Sequence, residues 1–149
     1  RVPMIWSDPE TRAAARTDTL ASTIDISASI LDRVGLAPYN GMQGQSFLKS
    51  LDGTQPHRDE VLIEHNDGGA RMGFAQAARV RTLRTKKWRV SVFAGAGWGE
   101  LYDLTADPKE TNNLWDDPEY AGEKATLTMR LVEHLTFQMD ESPRATRLA

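Results

Sequence analysis

Gly99-Glu100-Leu101-Tyr102-Asp103-Leu104, followed by Asp107-Pro108-Lys109-Glu110 and Asn113-Leu114, is the densest run of structural signals in this 149-residue chain. Residues 100–104 read as a strand. The stretch before it, Gly95-Ala96-Gly97-Trp98-Gly99, reads as a tight glycine-rich turn. After it, Asp107 has the character of an N-cap, with Pro108 at N1 and Glu110 at N3, which predicts a helical turn. Asp117-Pro118 repeats that start. It opens a closing helix to about Met139, with Leu127, Leu131, Val132, Leu135 and Met139 as the expected buried stripe. Upstream, Ala77–Thr85 and residues 87–93 predict a hairpin around Thr85-Lys86-Lys87, with Trp88, Val90 and Val92 on one strand face. Residues 60–64 predict a further strand, ended by a loop at Asn66-Asp67-Gly68-Gly69 that uses glycine's permissive dihedrals.

The amino-terminal third reads differently. Residues 2–6 form a short apolar run, expected to be a buried strand, with a turn at Ser7-Asp8-Pro9 and a polar loop or loose helix over 12–19. Ser22-Thr23-Ile24-Asp25 has capping-box spacing, with Ser22 as N-cap and Asp25 at N3. Ile26, Ile30, Leu31 and Val34 then recur at helical spacing, and Gly35 supplies a stop. Residues 45–51 predict a second short helix, and the character of the chain changes near Pro56. The chain opens at Arg1-Val2-Pro3 rather than at Met, as though a strand were already under way, so a piece of a longer protein is expected.

Composition narrows the function classes. The chain is 40% hydrophobic and 26% charged, which are globular values. Eighteen basic against 21 acidic residues give a net charge of −3. That argues against nucleic acid or an anionic membrane surface as partner. No apolar run approaches the length of a membrane span. Without cysteine the chain has no disulfide, thiolate metal site or cysteine nucleophile.

His57, His65 and His134 are dispersed, and none forms an i, i+4 pair with another. Glu64-His65-Asn66-Asp67 is the densest group of ligand-type side chains. Hard cations need several converging oxygens, so a strand end followed by a solvated turn is the simpler reading, and no metal site is assigned. No serine nucleophile motif occurs, and the glycine-rich turn precedes a strand rather than a helix, unlike a phosphate-binding loop. Arg79, Arg81, Arg84, Lys86, Lys87 and Arg89 form a cationic ribbon. It could bind an anionic group or be the wet face of an edge hairpin protected from edge pairing.

The run from Gly99 to Leu114 resembles the ELYDL-x-x-DP-x-E-x-x-NL signature near the carboxyl end of type I sulfatases, in the alkaline phosphatase superfamily. Arg1-Val2-Pro3, Thr23-Ile24-Asp25 through Gly35, Gln43-Gly44-Gln45-Ser46-Phe47 and the hairpin over 79–89 resemble other family segments in the same order. A Pro-Thr pair usual after the family's Asp is Ala28-Ser29 here, a departure expected to change only the helix start. The resemblance implies an α/β fold whose last part is α+β. Residues 1–55 would be the tail of the catalytic α/β domain. Residues 56–149 would form a subdomain of about four antiparallel strands packed against a terminal helix.

The implied parent hydrolyses sulfate esters with a formylglycine nucleophile and Ca²⁺, both expected in an amino-terminal catalytic part that is the main partner. No cofactor, catalytic residue or metal ligand transfers onto this sequence, so the chain is expected to be inactive alone. The family is often exported or lysosomal, and the sequence itself fixes no compartment. Such subdomains sit beside the active-site cleft, which makes His65, Asn66, Asp67 and Arg71 the candidate substrate contacts. The alternatives are a fragment of a phosphodiesterase or phosphonate monoester hydrolase, a non-catalytic module for anionic glycans, and a structural piece that self-associates through exposed apolar surface.

Overall fold

The computed structural model describes residues 3–9, 16–51, 53, 55–70 and 73–138. Four strands, β1 (Glu60–Ala70), β2 (Ala77–Thr85), β3 (Trp88–Phe93) and β4 (Gly99–Asp103), form one antiparallel sheet in chain order. Helix α3 (Ala121–Phe137) packs against one face, after a 3₁₀ turn at Pro118–Tyr120 that Asp117 caps through the Glu119 N–H. Two further helices, α1 (Ile24–Arg33) and α2 (Leu48–Leu51), precede the sheet. The sheet and its terminal helix match the expected α+β architecture.

Strand register explains the core. Leu62, Leu83, Val90 and Leu101 lie opposite one another across the four strands and therefore share one face. Leu83, Val90, Leu101 and Leu127 of α3 are fully buried, joined by Leu131, Leu114 and Trp88. Each such side chain contributes about 1.5–3 kcal/mol by leaving water. Glu60 pins the helix at the sheet margin, accepting from Arg130 and lying 2.7 Å from His134 Nε2. At the β2–β3 turn, neither Lys86 nor Lys87 adopts positive φ. The Thr85 hydroxyl instead accepts the N–H groups of Lys87 and Trp88, at 3.2 and 2.8 Å.

The amino-terminal part is organised around a buried carboxylate. Asp25, fully buried on α1, accepts the Ser22 N–H (2.8 Å), the Gln45 N–H (2.9 Å) and an Arg58 guanidinium hydrogen (2.5 Å). His57 Nε2 lies 3.2 Å away. The return bond of the expected capping box is therefore present, but Asp25 also ties α1 to two distant segments. Gly44 makes this possible, since a Cβ there would sit 2.1 Å from the Ile24 carbonyl oxygen. Ser29 donates to the Asp25 carbonyl (2.7 Å) and accepts the Phe47 N–H (3.1 Å). Ala28 and Ser29 thus lie mid-helix and not at its start, which corrects the expected effect of that departure.

Several elements differ from expectation. Residues 3–6 are irregular, with Ile5 91% exposed, because no strand of the described residues runs alongside them; Val2 lies outside the described residues. α2 begins at Leu48, not at residue 45, because Asp25 and Ser29 already hold the Gln45 and Phe47 N–H groups. Residues 66–69 continue β1, with an irregularity between Asn66 and Ala70, instead of forming a loop. On α3, Leu127 and Leu131 are buried as expected and Leu135 partly so, but Val132 is half-exposed; Met139 lies outside the described residues.

Asp25→Ala removes a fully buried carboxylate from the partly buried Arg58 guanidinium and from two backbone N–H groups, which typically costs about 3–5 kcal/mol. Urea unfolding of the variant measures this, and a loss below about 1 kcal/mol contradicts the assigned role.

Candidate functional site

The segment 99–114 is built residue by residue into the sheet. Gly99 passes so close to Trp115 that a Cβ would lie 2.6 Å from its ring. Asn113 then acts as a surrogate strand beside β4. Its Oδ1 accepts the Leu101 N–H (3.0 Å) and the Trp115 N–H (3.1 Å), and its Nδ2 donates to the Gly99 carbonyl (3.0 Å). The Leu114 N–H reaches the Leu101 carbonyl at 2.8 Å, which sets Leu114 in the core. Asp103 accepts the N–H groups of Thr105 and Ala106. Asp107 accepts those of Thr111 and Asn112, at 2.6 and 2.8 Å. The predicted helical turn at 107–110 is instead a hydrogen-bonded loop, with Glu110 at φ 58°.

That conformation places Glu110 over the sheet face opposite α3. Arg84 and Arg89 occupy opposed positions there, and Glu110 lies 3.6 and 3.1 Å from them. Arg89 also donates to Glu100 (2.7 Å) and lies 4.9 Å from the Tyr102 ring centre. Burial pushes the Tyr102 phenol up from its ordinary pKa, and the nearby Glu100 carboxylate adds to the shift. Beside them Thr82 and Ser91, both buried, share a 2.8 Å hydrogen bond. This polar network was not anticipated. Its signal was weak, because Glu110 lies far along the chain from the two arginines.

The cationic ribbon is correspondingly neutralised. Arg81, Arg84, Lys86, Lys87 and Arg89 each have a carboxylate within 4 Å, while Arg79 is exposed. β2 and β3 are inner strands, so the edge-hairpin expectation is corrected. Asp18 is held below the usual carboxylate range by its hydrogen bond to Lys86, in a pair too exposed to matter much for stability.

The four expected substrate contacts do not converge. Strand alternation sends His65 to the face away from α3 and Asn66 to the other. His65 Nε2 pairs with Asp67 at 3.0 Å, and the His65 side chain remains 62% exposed. Asn66 Oδ1 accepts from Arg81 (3.0 Å), which also binds Glu64 (2.8 Å). Arg71 lies outside the described residues. Among the described residues no three His, Asp or Glu side chains gather as metal ligands. The calcium implied by the resemblance is therefore not fitted by these side chains.

A family model described as "N-sulphoglucosamine sulphohydrolase, C-terminal" matches residues 1–137. The chain belongs to this sulfatase C-terminal family. It is 26% identical to the N-acetylglucosamine-6-O-sulfatase of Bacteroides thetaiotaomicron over 96% of its own length and 26% of that protein's. The phosphonate monoester hydrolase of Agrobacterium radiobacter matches with a TM-score of 0.71 and 25% identity, over 89% of this chain and 28% of that one. A protein solved in complex with its substrate, D-glucosamine-2-N,6-O-disulfate, gives a TM-score of 0.66 at 24% identity, over 83% and 25%; that likeness shows the fold. The sulfatase C-terminal chain spans about a quarter of the length of the relatives it matches.

The Asp107 carboxyl sits below its ordinary pKa, chiefly through the Asn112 N–H. A depressed carboxyl stabilises the fold above its unfolded pKa and loses that contribution as pH falls through the folded value. Asp107→Asn is therefore expected to lower Tm at pH 7, with the difference from the unsubstituted protein shrinking as pH drops below about 4. A difference that stays constant from neutral to acid pH contradicts this.

Proposed function

We propose that this chain is the carboxyl-terminal part of a sulfuric ester hydrolase, structural in role and facing the substrate. Residues 1–55 close the catalytic α/β domain, and residues 56–149 form the subdomain beside the cleft. The observation that carries the reading is the family match over 1–137, together with the signature segment built into β4 and the core. The chain is inactive alone, because its contribution is the sheet and not the nucleophile. An amino-terminal catalytic part supplies the formylglycine and calcium of the family, and no step through either belongs to this chain. Exposed Ile5, Ile30, Val34 and Leu36 offer apolar surface for that contact.

The outer half of β1 is the substrate-selecting element. His65 is exposed and oriented by Asp67, an arrangement that leaves the imidazole free to meet a polar ligand. Arg71, six positions on in the sequence, completes the proposed contacts, whereas Asn66 lies on the other strand face and is held by Arg81. Neutralisation of the ribbon weighs against a free-standing module for anionic glycans. A second reading, hydrolysis of a phosphonate monoester, is supported by the 0.71 TM-score at 25% identity.

Steady-state kinetics of the full-length protein test both. A kcat/KM larger on a sulfate ester than on phenyl phosphonate is expected, and the reverse order favours the second reading. His65→Ala is expected to raise KM for the sulfate ester about tenfold. Unchanged kinetics remove His65 from substrate binding.

A further inference from the structure

Helix α3 carries a second apolar stripe, on the side away from the sheet. Ala121, Ala125, Met129 and Val132 recur at spacings of four and three residues and are exposed. Leu127 and Leu131 already bury the other side of the helix, so this stripe serves no core among the described residues. With Thr128 and the Trp115 ring it lines an apolar groove of about 340 Å³. Lys124 fixes the Trp115 wall. Its ammonium donates to the Trp115 carbonyl (2.5 Å) and lies 4.8 Å from the ring centre. Met129 is 61% exposed, more than a methionine needs for solubility of a helix surface, and the groove has room for an aliphatic side chain.

The chain itself supplies an occupant of the right length and charge. α3 ends at Phe137, and Gln43 holds the Gln138 carbonyl at 3.1 Å, which fixes the point of departure. Residues 139–149 follow, outside the described residues. Ser142-Pro143 disfavours helical backbone at Ser142, so the sequence does not carry α3 straight on. A helix rises about 1.5 Å per residue, which puts Ala125 roughly 20 Å and Ala121 roughly 25 Å back from Gln138. Leu148 lies ten positions beyond Gln138, and that much extended chain spans up to roughly 33–36 Å. It therefore reaches the groove with slack for a reversal. Leu148 is the one large apolar residue of 140–149. Charge agrees with this return. The ion pairs of the described residues leave Asp116, Glu119, Glu123 and Glu133, on α3 and just before it, without a cation. Arg144 and Arg147 flank the approach to Leu148, while Asp140 and Glu141 stay behind at the start of the tail.

We propose that residues 139–149 fold back along α3 and seat Leu148 in the groove between the helix and Trp115, closing its outer face. The inference stands apart from the sulfatase reading and does not need it. The test is disulfide formation in the full-length protein, since residues 1–149 contain no cysteine of their own. Ala149→Cys is combined either with Ala125→Cys, in the groove, or with Thr126→Cys, about 100° around the helix. A tail that is only tethered meets both positions at nearly the same effective concentration. Docking predicts that the 125–149 disulfide within one molecule forms about tenfold faster than 126–149, a factor that burial of one leucine can supply. Leu148→Asp is expected to abolish that preference. Peptide mapping reads each product. Equal rates overturn the proposal, and so does a preference that survives Leu148→Asp. Disulfides only between molecules assign the groove to a second copy, and no disulfide at either position assigns it to another part of the protein. Both results overturn the proposal.

Discussion

The Asn113 carboxamide is the constraint on which the sheet depends. β4 is an edge strand, and an edge leaves a row of backbone groups without partners. Asn113 supplies both a donor and an acceptor at that edge, bonding Gly99 and Leu101 as a neighbouring strand would. The same clamp sets Leu114 into the core and Trp115 against Gly99. Since Leu101 and Leu114 both line the cluster that receives Leu127 and Leu131, the seat of α3 follows from this one side chain's geometry. The loop leading to Asn113 must be short and tightly bonded, and Asp103 and Asp107 satisfy its N–H groups. Glu110 then projects back over Arg84 and Arg89.

A second anchor, Asp25, organises the part of the chain before the sheet. It gathers partners from the turn before α1, the glycine-bearing loop and the segment entering β1. Burying an ionised carboxylate is costly unless its oxygens are filled, and here both are. The two anchors serve different stretches of the chain, Asp25 the segments before the sheet and Asn113 the edge strand β4. The outer half of β1 and the turn before β4 carry exposed polar and aromatic groups. Proposed recognition thus rests on segments supported by, but not part of, the rigid core.

The sheet and its helix were legible because local signals agreed. Trp88 and Val90 alternate into the core, Asp117-Pro118 caps the turn before α3, and Leu127 and Leu131 fall on one helix face. What was hidden is non-local. Asp25 read as a capping residue, but its partners Gln45, His57 and Arg58 lie 20 to 33 positions away. Asn66-Asp67-Gly68-Gly69 read as a loop, yet pairing with β2 overrides local preference and glycine is tolerated at an irregular strand edge. Residues 3–6 carry an apolar strand signal that no neighbour in the described residues satisfies. For the candidate site, residue type singled out the outer half of β1, which is largely exposed. Strand alternation, which separates His65 from Asn66, was lost once that segment read as a loop.

The most direct test of this account is the effect of Asn113→Ala on the Leu101 amide. The clamp predicts faster hydrogen exchange at Leu101 and a stability loss of about 1–2 kcal/mol, since net hydrogen bonds contribute about 1 kcal/mol each. For a chain of this size that is a fall in Tm of roughly 3–8 °C. An unchanged Tm together with undiminished protection of the Leu101 amide contradicts the claim that Asn113 completes the edge of the sheet.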